Sequence, residues 1–236
     1  KLRHLILYGI IIIQPTAPMG IYGVVSNAAR GHVVTTLLIA MVAMLLTAVS
    51  YGRMARIYPS AGSAYTYVGH EIHPMAGYVV GWSMLMDYML NPIICVIWCS
   101  AAALNVFPQV PYAAWALAFG ILFTALNLIG VQASSRVNAV LALGMGIVVV
   151  IFLAFAIRYI ALVARPTGYE WLAPFYDPSR FNAGRLLHGT SLAVLTYIGF
   201  DGISTMSEEV ENPRRNIMLA TVLTCLAIGV LSAVEV

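Results

Sequence analysis

The chain has 236 residues, of which 61% are hydrophobic and only 9% charged, where a soluble domain carries about 25% charged residues. It cannot cover a globular surface with polar groups and belongs in a bilayer. The net charge of +3 is scattered over loops and forms no patch, so nucleic-acid binding has no support.

A membrane span needs about 20 mostly apolar residues. Seven stretches qualify: 5–29, 33–52, 75–106, 112–130, 137–157, 186–206 and 217–234. The first is interrupted by Gln14-Pro15-Thr16-Ala17-Pro18-Met19-Gly20-Ile21-Tyr22-Gly23. Its two prolines remove backbone donors and free carbonyls one turn earlier. In lipid those carbonyls are costly unless they face a cavity or a ligand. Between the second and third spans, residues 59–67 are small, aromatic and almost uncharged, which predicts a segment packed back on the bundle as a re-entrant or short interfacial helix.

The third span is longer than a bilayer requires, so it is tilted or partly interfacial. Asp87 lies roughly 18 Å along it at about 1.5 Å per residue. Asn91 follows one turn later on the same face, and Pro92 frees the carbonyl of Tyr88. Cys95 and Cys99 lie one turn apart in this span and Cys225 in the last. They read as buried small hydrophobes, without a disulfide framework or a metal set. His70-Glu71-Ile72-His73 lacks the zinc-helix spacing and reads as loop. After the fifth span, residues 165–185 carry Trp171, Phe175, Tyr176 and Phe181, a density that suits a membrane–water interface.

The sixth span carries Tyr197-Ile198-Gly199-Phe200-Asp201-Gly202, an acid inside an apolar helix flanked by glycines. A carboxylate at mid-membrane costs roughly 2.5–3.5 kcal/mol on insertion scales, so it faces a cavity or a partner. The glycines weaken the helix there and let the backbone open. Spans one and six are thus both broken. They lie five spans apart, so they run in opposite directions, as in an inverted repeat with the substrate site between the breaks. A polar run follows, with Glu208, Glu209, Glu211, Arg214 and Arg215. It reads as a solvated cluster, with an inner gate to Arg53 or Arg56 as the alternative. Loop arginines and lysines bias the N-terminus to the cytoplasm. The chain starts without Met and stops as the seventh span ends, so it is expected to be a fragment, one transmembrane domain over 1–236.

These residues carry a resemblance. The runs Ser50-Tyr51-Gly52-Arg53-Met54, 59–67, Gly81-Trp82-Ser83-Met84-Leu85-Met86-Asp87-Tyr88 and 197–216 occur in the order found in the amino acid–polyamine–organocation transporters. The chain looks most like the branch of putrescine importers and related permeases. The resemblance implies an all-α membrane fold of two five-helix inverted repeats with discontinuous helices one and six. The first repeat would cover about 5–163 and the start of the second about 186–236, with truncation after helix seven. It implies a substrate pocket lined by Thr16, Ala17, Pro18, Met19, Gly20 and Tyr22 from span one. Tyr197, Gly199, Phe200, Asp201 and Gly202 from span six would face them, and Asp87 and Asn91 from span three would approach. Asp201 falls where some members place an acid used in substrate or proton sensing.

Two departures matter. Many family permeases hold the substrate carboxylate on backbone N–H groups of a Gly-Ser-Gly run in span one. Here the run is Ala17-Pro18-Met19-Gly20 and Pro18 has no N–H, which favours a diamine over a simple α-amino acid. Some proton-coupled members use a Lys in span five, and 137–157 contains none. Competing structural readings stand beside these roles: backbone hydrogen bonding for Asp201, interhelical hydrogen bonding for Asp87 and Asn91, core packing for Tyr197 and Phe200. No nucleophile–base pair, phosphate loop or metal constellation is present in the sequence, so neither enzyme nor cofactor is expected.

The function expected is secondary active transport of polyamines or amino acids by alternating access in a bacterial inner or plasma membrane. The partners are a small amine or amino acid, protons and the lipid bilayer. An amino acid exchanger is the alternative within the class, and a non-transporting sensor or scaffold the alternative outside it.

Overall fold

Apolar sequence with few breakers produces helices throughout, and the computed structural model describes residues 2–129, 131–164, 172–208 and 210–236. Side chains of 3, 4, 127, 129, 131–139, 141 and 164 are outside that description, as are Arg165, Trp171 and Glu209 altogether. No strand occurs among the described residues. The helices are α1 (Leu2–Ile13), α2 (Ala17–Ala28), α3 (Val33–Ile57), α4 (Ser63–Glu71), α5 (Pro74–Val106), α6 (Tyr112–Ile129), α7 (Val131–Tyr159), α8 (Ala183–Ala193), α9 (Gly202–Thr205) and α10 (Pro213–Glu235).

Every expected span corresponds to helix. By length and apolarity five helical stretches can cross a membrane, and six when the bent pair α1 and α2 is counted as one span. The apolar stretch at the expected fourth span, Tyr112–Leu126, is shorter than that standard. This is a multi-pass membrane protein. Residues 63–71 form the helix expected from the uncharged segment after the second span. Of the residues expected as loop at 70–73, His70 and Glu71 end α4, while Ile72 and His73 form the connection to α5. His73 caps α5 by accepting the Met75 N–H at 3.1 Å, and Pro74 occupies the first turn, where its missing donor has no consequence.

The backbone falls into two compact units, Lys1–Ser63 with Ala142–Val236, and Ala64–Leu141. In the first, α3 and α10 form the principal helix pair. Small residues let them approach closely: Gly52 lies against Met218, and Gly229 against Met41 and the Tyr197 hydroxyl. Leu37, Ala40, Ala48, Tyr197, Cys225 and Ile228 are buried around this seam. On the α8 side, Gly189 packs on Ala29 and Thr36.

In the second unit α4 lies on the start of α5, with Gly77 against the backbone of Gly69 and Gly81 against the Tyr65 ring. Along α6, Trp115, Phe119 and Phe123 repeat every four residues. Their rings stack at centroid separations of 5.9 and 6.0 Å, and Phe107 adds a contact at 5.9 Å. Ser100 is buried and donates to the Val96 carbonyl at 2.6 Å.

Candidate functional site at two helix breaks

Gln14 separates α1 from α2 and takes a left-handed conformation, φ 66°. The two helices meet at a bend of 45°. Pro15 cannot donate to the carbonyl of Ile11, so the end of α1 carries acceptor capacity that a continuous helix would use up. The break spans Gln14 to Thr16, and Ala17 to Tyr22 already belong to α2. The break thus occupies only the first three residues of the interruption expected at 14–23. Pro18 sits in the first turn of a helix, where its fixed φ suits the helix and its missing N–H costs no bond.

The donors at the start of α2 are committed. Ala17 N–H donates to the Gln14 carbonyl at 3.0 Å and Met19 N–H to the Thr16 carbonyl at 3.2 Å. With Pro18 between them, the first turn of α2 has little left to offer an anion. Pro18 is buried, Ala17 and Met19 half-buried, and Gly20 and Tyr22 exposed. The Thr16 hydroxyl points to the Met145 sulfur at 3.8 Å.

The sixth span breaks in steps. α8 tightens into a 3-10 turn at Val194–Tyr197, the chain turns through Ile198 to Asp201, and helix resumes at Gly202. Gly199 has φ 100°, which L side chains rarely adopt. A Cβ there would also run into the Ile12 side chain, and one on Gly202 would come within 3.3 Å of the same residue. The two breaks therefore touch: the end of α1 lies on the opened turn of span six. This contact joins residues nearly two hundred positions apart in sequence.

Asp201 sits at the start of α9, half-buried. Its carbonyl accepts the Ser204 N–H at 2.8 Å and the Ser204 hydroxyl at 2.6 Å. Tyr197 and Phe200 belong to the core. Tyr197 is fully buried and donates its hydroxyl to the Leu37 carbonyl at 3.2 Å. Phe200 is buried with its ring edge-on to Tyr51, centroids 5.4 Å apart. Asp87 and Asn91 lie on α5 in the second unit, both exposed. The Asn91 side-chain oxygen accepts from the Cys95 thiol at 3.9 Å.

Two sets of contacts flank the breaks. On the side of Arg53, the buried Ser63 and Ser204 hydroxyls lie 2.7 Å apart, Glu208 accepts the Ala61 N–H at 3.0 Å, and Arg56 donates to the Arg214 carbonyl at 3.0 Å. In the last two of these contacts Glu208 and Arg56 each bond backbone atoms and not one another. Among the described residues the ion pair present is Arg180 with Asp177 at 3.5 Å.

On the opposite side, Thr35 donates to the Phe175 carbonyl at 2.5 Å. The buried His32 holds the Asp177 backbone: Nδ1 lies 2.8 Å from the Ala29 carbonyl and Nε2 3.1 Å from the Asp177 N–H. Of the aromatic segment expected at an interface, Tyr176 and Phe181 pack on this His ring, with centroids 6.2 and 5.9 Å away. The Ser179 hydroxyl and N–H both bond the Asp177 carboxylate and hold it below its ordinary range, with help from Arg180. His32, Ser63, Ser204 and Thr196 went unremarked in the sequence. They are polar residues in apolar runs, and that was the available signal.

Comparison with known proteins identifies the family. The amino acid permease family model matches residues 9–233. The low-affinity putrescine importer PlaP of Escherichia coli K12 is 32% identical over 229 residues, 96% of this chain and 50% of that protein. The branched-chain amino acid permease BcaP of Bacillus subtilis is 26% identical over 96% of the chain and 51% of its own length. The mitochondrial cationic amino acid transporter 3 of Arabidopsis thaliana is 29% identical over 99% of the chain and 41% of its own. The chain thus spans about half the length of these relatives. No solved structure matches it significantly.

Proposed function

Because the chain belongs to the amino acid permease family, we propose that it is the first half of a secondary transporter that moves a cationic amine across a bacterial inner or plasma membrane. One observation carries the preference for an amine: the break in span one presents freed carbonyl capacity while its N–H donors are used or missing. The negative end of the α1 dipole and the carboxylate of Asp201 favour a cation in the same region. A substrate carboxylate would need those N–H groups. The relative named as a putrescine importer supports the same class.

The substrate binds between the two breaks, with the α1 end, Thr16 to Tyr22, and Gly199 to Gly202 around it and Asp201 as counter-ion and proton-coupling group. The N-terminus is cytoplasmic, so the contacts of Ser63, Ala61 and Arg56 close the inner side and those of His32 and Thr35 the outer side. Alternating access opens one set at a time within an inverted repeat whose second half starts at about residue 186. Enzymatic turnover has no part in this reading.

The test is counterflow in proteoliposomes of the full-length protein, with labelled putrescine and a panel of amino acids. Putrescine exchange in the wild type, lost in Asp201→Asn, is the expected result. Exchange of amino acids without putrescine would identify an amino acid exchanger. Binding without any flux would identify a sensor.

A further inference from the structure

The apolar helix α10 carries a polar seam that the transport cycle above does not use. Thr221, Thr224, Ile228, Ser232 and Glu235 are all buried. At 3.6 residues per turn they fall within an arc of about 80° on one face of the helix. The Thr221 hydroxyl returns to the Ile217 carbonyl at 2.8 Å. The Thr224 and Ser232 hydroxyls and both Glu235 carboxyl oxygens are buried and have no hydrogen-bond partner among the described residues. The Thr196 hydroxyl, on the 3-10 turn just ahead of the span-six break, is in the same condition.

These groups are neighbours along one interface. Gly229, between Ile228 and Ser232, lies against the Tyr197 hydroxyl, next in sequence to Thr196. Thr224 lies against Gly9 of α1. The pairing of Gly52 with Met218 and of Gly229 with Met41 makes α3 and α10 antiparallel and puts Glu235 level with Thr35. Glu235 is therefore at the end of the bundle opposite Arg53, and it is only 7% exposed.

A row of buried, unpaired polar groups in a membrane interior is unfavourable unless water or protons occupy it. An intramembrane carboxylate at one end of such a row is the arrangement of a proton relay. We propose that this seam is a water-lined proton path and that Glu235 is the group that takes up and releases the proton at its outer end. The inference rests on the transport reading above. A proton from bulk water binds a Glu235 oxygen. It passes along waters held by Ser232, Thr224 and Thr196 to the span-six break, and Glu235 returns to carboxylate.

Other titratable or charged groups on the elements packed against α10 do not replace it. Arg53, Arg56, Glu208, Arg214 and Arg215 are at the opposite end. Tyr197 is bonded to Leu37. Both nitrogens of His32 are engaged, by Ala29 and Asp177. Tyr22 is exposed, Tyr8 and Tyr51 lie on α1 and α3, Cys225 is a free thiol on α10, and Asp201 lies at the break itself.

Two measurements on the full-length protein in proteoliposomes test this. The first is putrescine accumulation driven by an imposed pH gradient, set beside putrescine counterflow without one. Glu235→Gln is expected to keep counterflow and lose gradient-driven accumulation by at least about tenfold, the scale of a lost coupling. The second is infrared difference spectroscopy between alkaline and acid pH, where the carboxylic C=O band of the wild type is expected to lose one component in Glu235→Gln. Accumulation at the wild-type level in the variant, or a band it leaves unchanged, overturns the proposal. If Glu235→Gln does not fold, Glu235→Asp and Ser232→Ala carry the test: the first retains coupling and shifts the band, the second weakens coupling with the band kept. Wild-type protein that shows this component but no counterflow supports Glu235 as a proton-binding group and defeats the transport reading instead.

Discussion

Gly199→Ala should be markedly more damaging than Gly202→Ala, three residues away in the same break. Gly199 has φ 100°, and a Cβ there meets the Ile12 side chain, with the Ile12 carbonyl at 3.5 Å behind it. Adopting positive φ costs an L-residue roughly 1–2 kcal/mol. Forcing a methyl into a packed contact adds about 1–3 kcal/mol. The sum, about 2–5 kcal/mol, is a large share of a marginal stability. At Gly202 the same methyl comes no closer than 3.3 Å to the end of Ile12. Gly202 already starts a helical turn, so alanine offsets part of that contact through a propensity gain of up to about 1 kcal/mol. Thermal unfolding of the purified full-length variants in one detergent provides the comparison. On the scale for soluble domains of about this chain's length, Gly199→Ala lowers the midpoint by roughly 4–20 °C and Gly202→Ala shifts it by only a few degrees. Adding Ile12→Ala to Gly199→Ala separates the two contributions: it relieves the clash and leaves the backbone cost, so coupling between the sites is nonzero and rescue is partial. Equal midpoints for the two single variants would refute the reasoning, as would full rescue by Ile12→Ala.

Gly52→Ala brings a methyl within 2.7 Å of the Met218 backbone and should cost about 1–3 kcal/mol. Gly120→Ala on α6 meets open space and should be neutral or slightly stabilising, both read from unfolding midpoints. Tyr197→Phe should lower stability by about 0.5–1.5 kcal/mol, the net worth of its bond to Leu37. It should leave substrate affinity in binding assays unchanged, because the ring and hydroxyl are committed to the core. Asp177 has its carboxyl lowered in the folded state, so its contribution to holding the outer segment is present above its unfolded value and is lost as pH falls through the lower, folded one. The Ser179 amide signal in serine-labelled protein should titrate with a midpoint below the ordinary value of 3.8. Asp177→Asn should abolish that titration.

Local chemistry explains which features were legible without coordinates. Hydropathy runs locate the spans because the bilayer sets both length and polarity, and each expected span is helical. Pro15 and Gly199 mark their breaks because backbone constraints act within a few residues of their cause. Even so, the span-one break is shorter than the interruption expected at 14–23. Pro18 signals interruption as strongly as Pro15 by composition, and only its position in a first turn makes it harmless. Tertiary structure alone decided what depends on distant partners. It laid the end of α1 on Gly199 and bonded Tyr197 to Leu37 instead of leaving its ring open. It also tied the segment around Asp177 to α3 through His32 and lined up Thr224, Ser232 and Glu235 in one buried seam. A hydroxyl or carboxyl in an apolar run has the same local signature whether it is paired, solvated or left alone. Its role is set by what packs across from it, and that is fixed only when helices far apart in the chain come together.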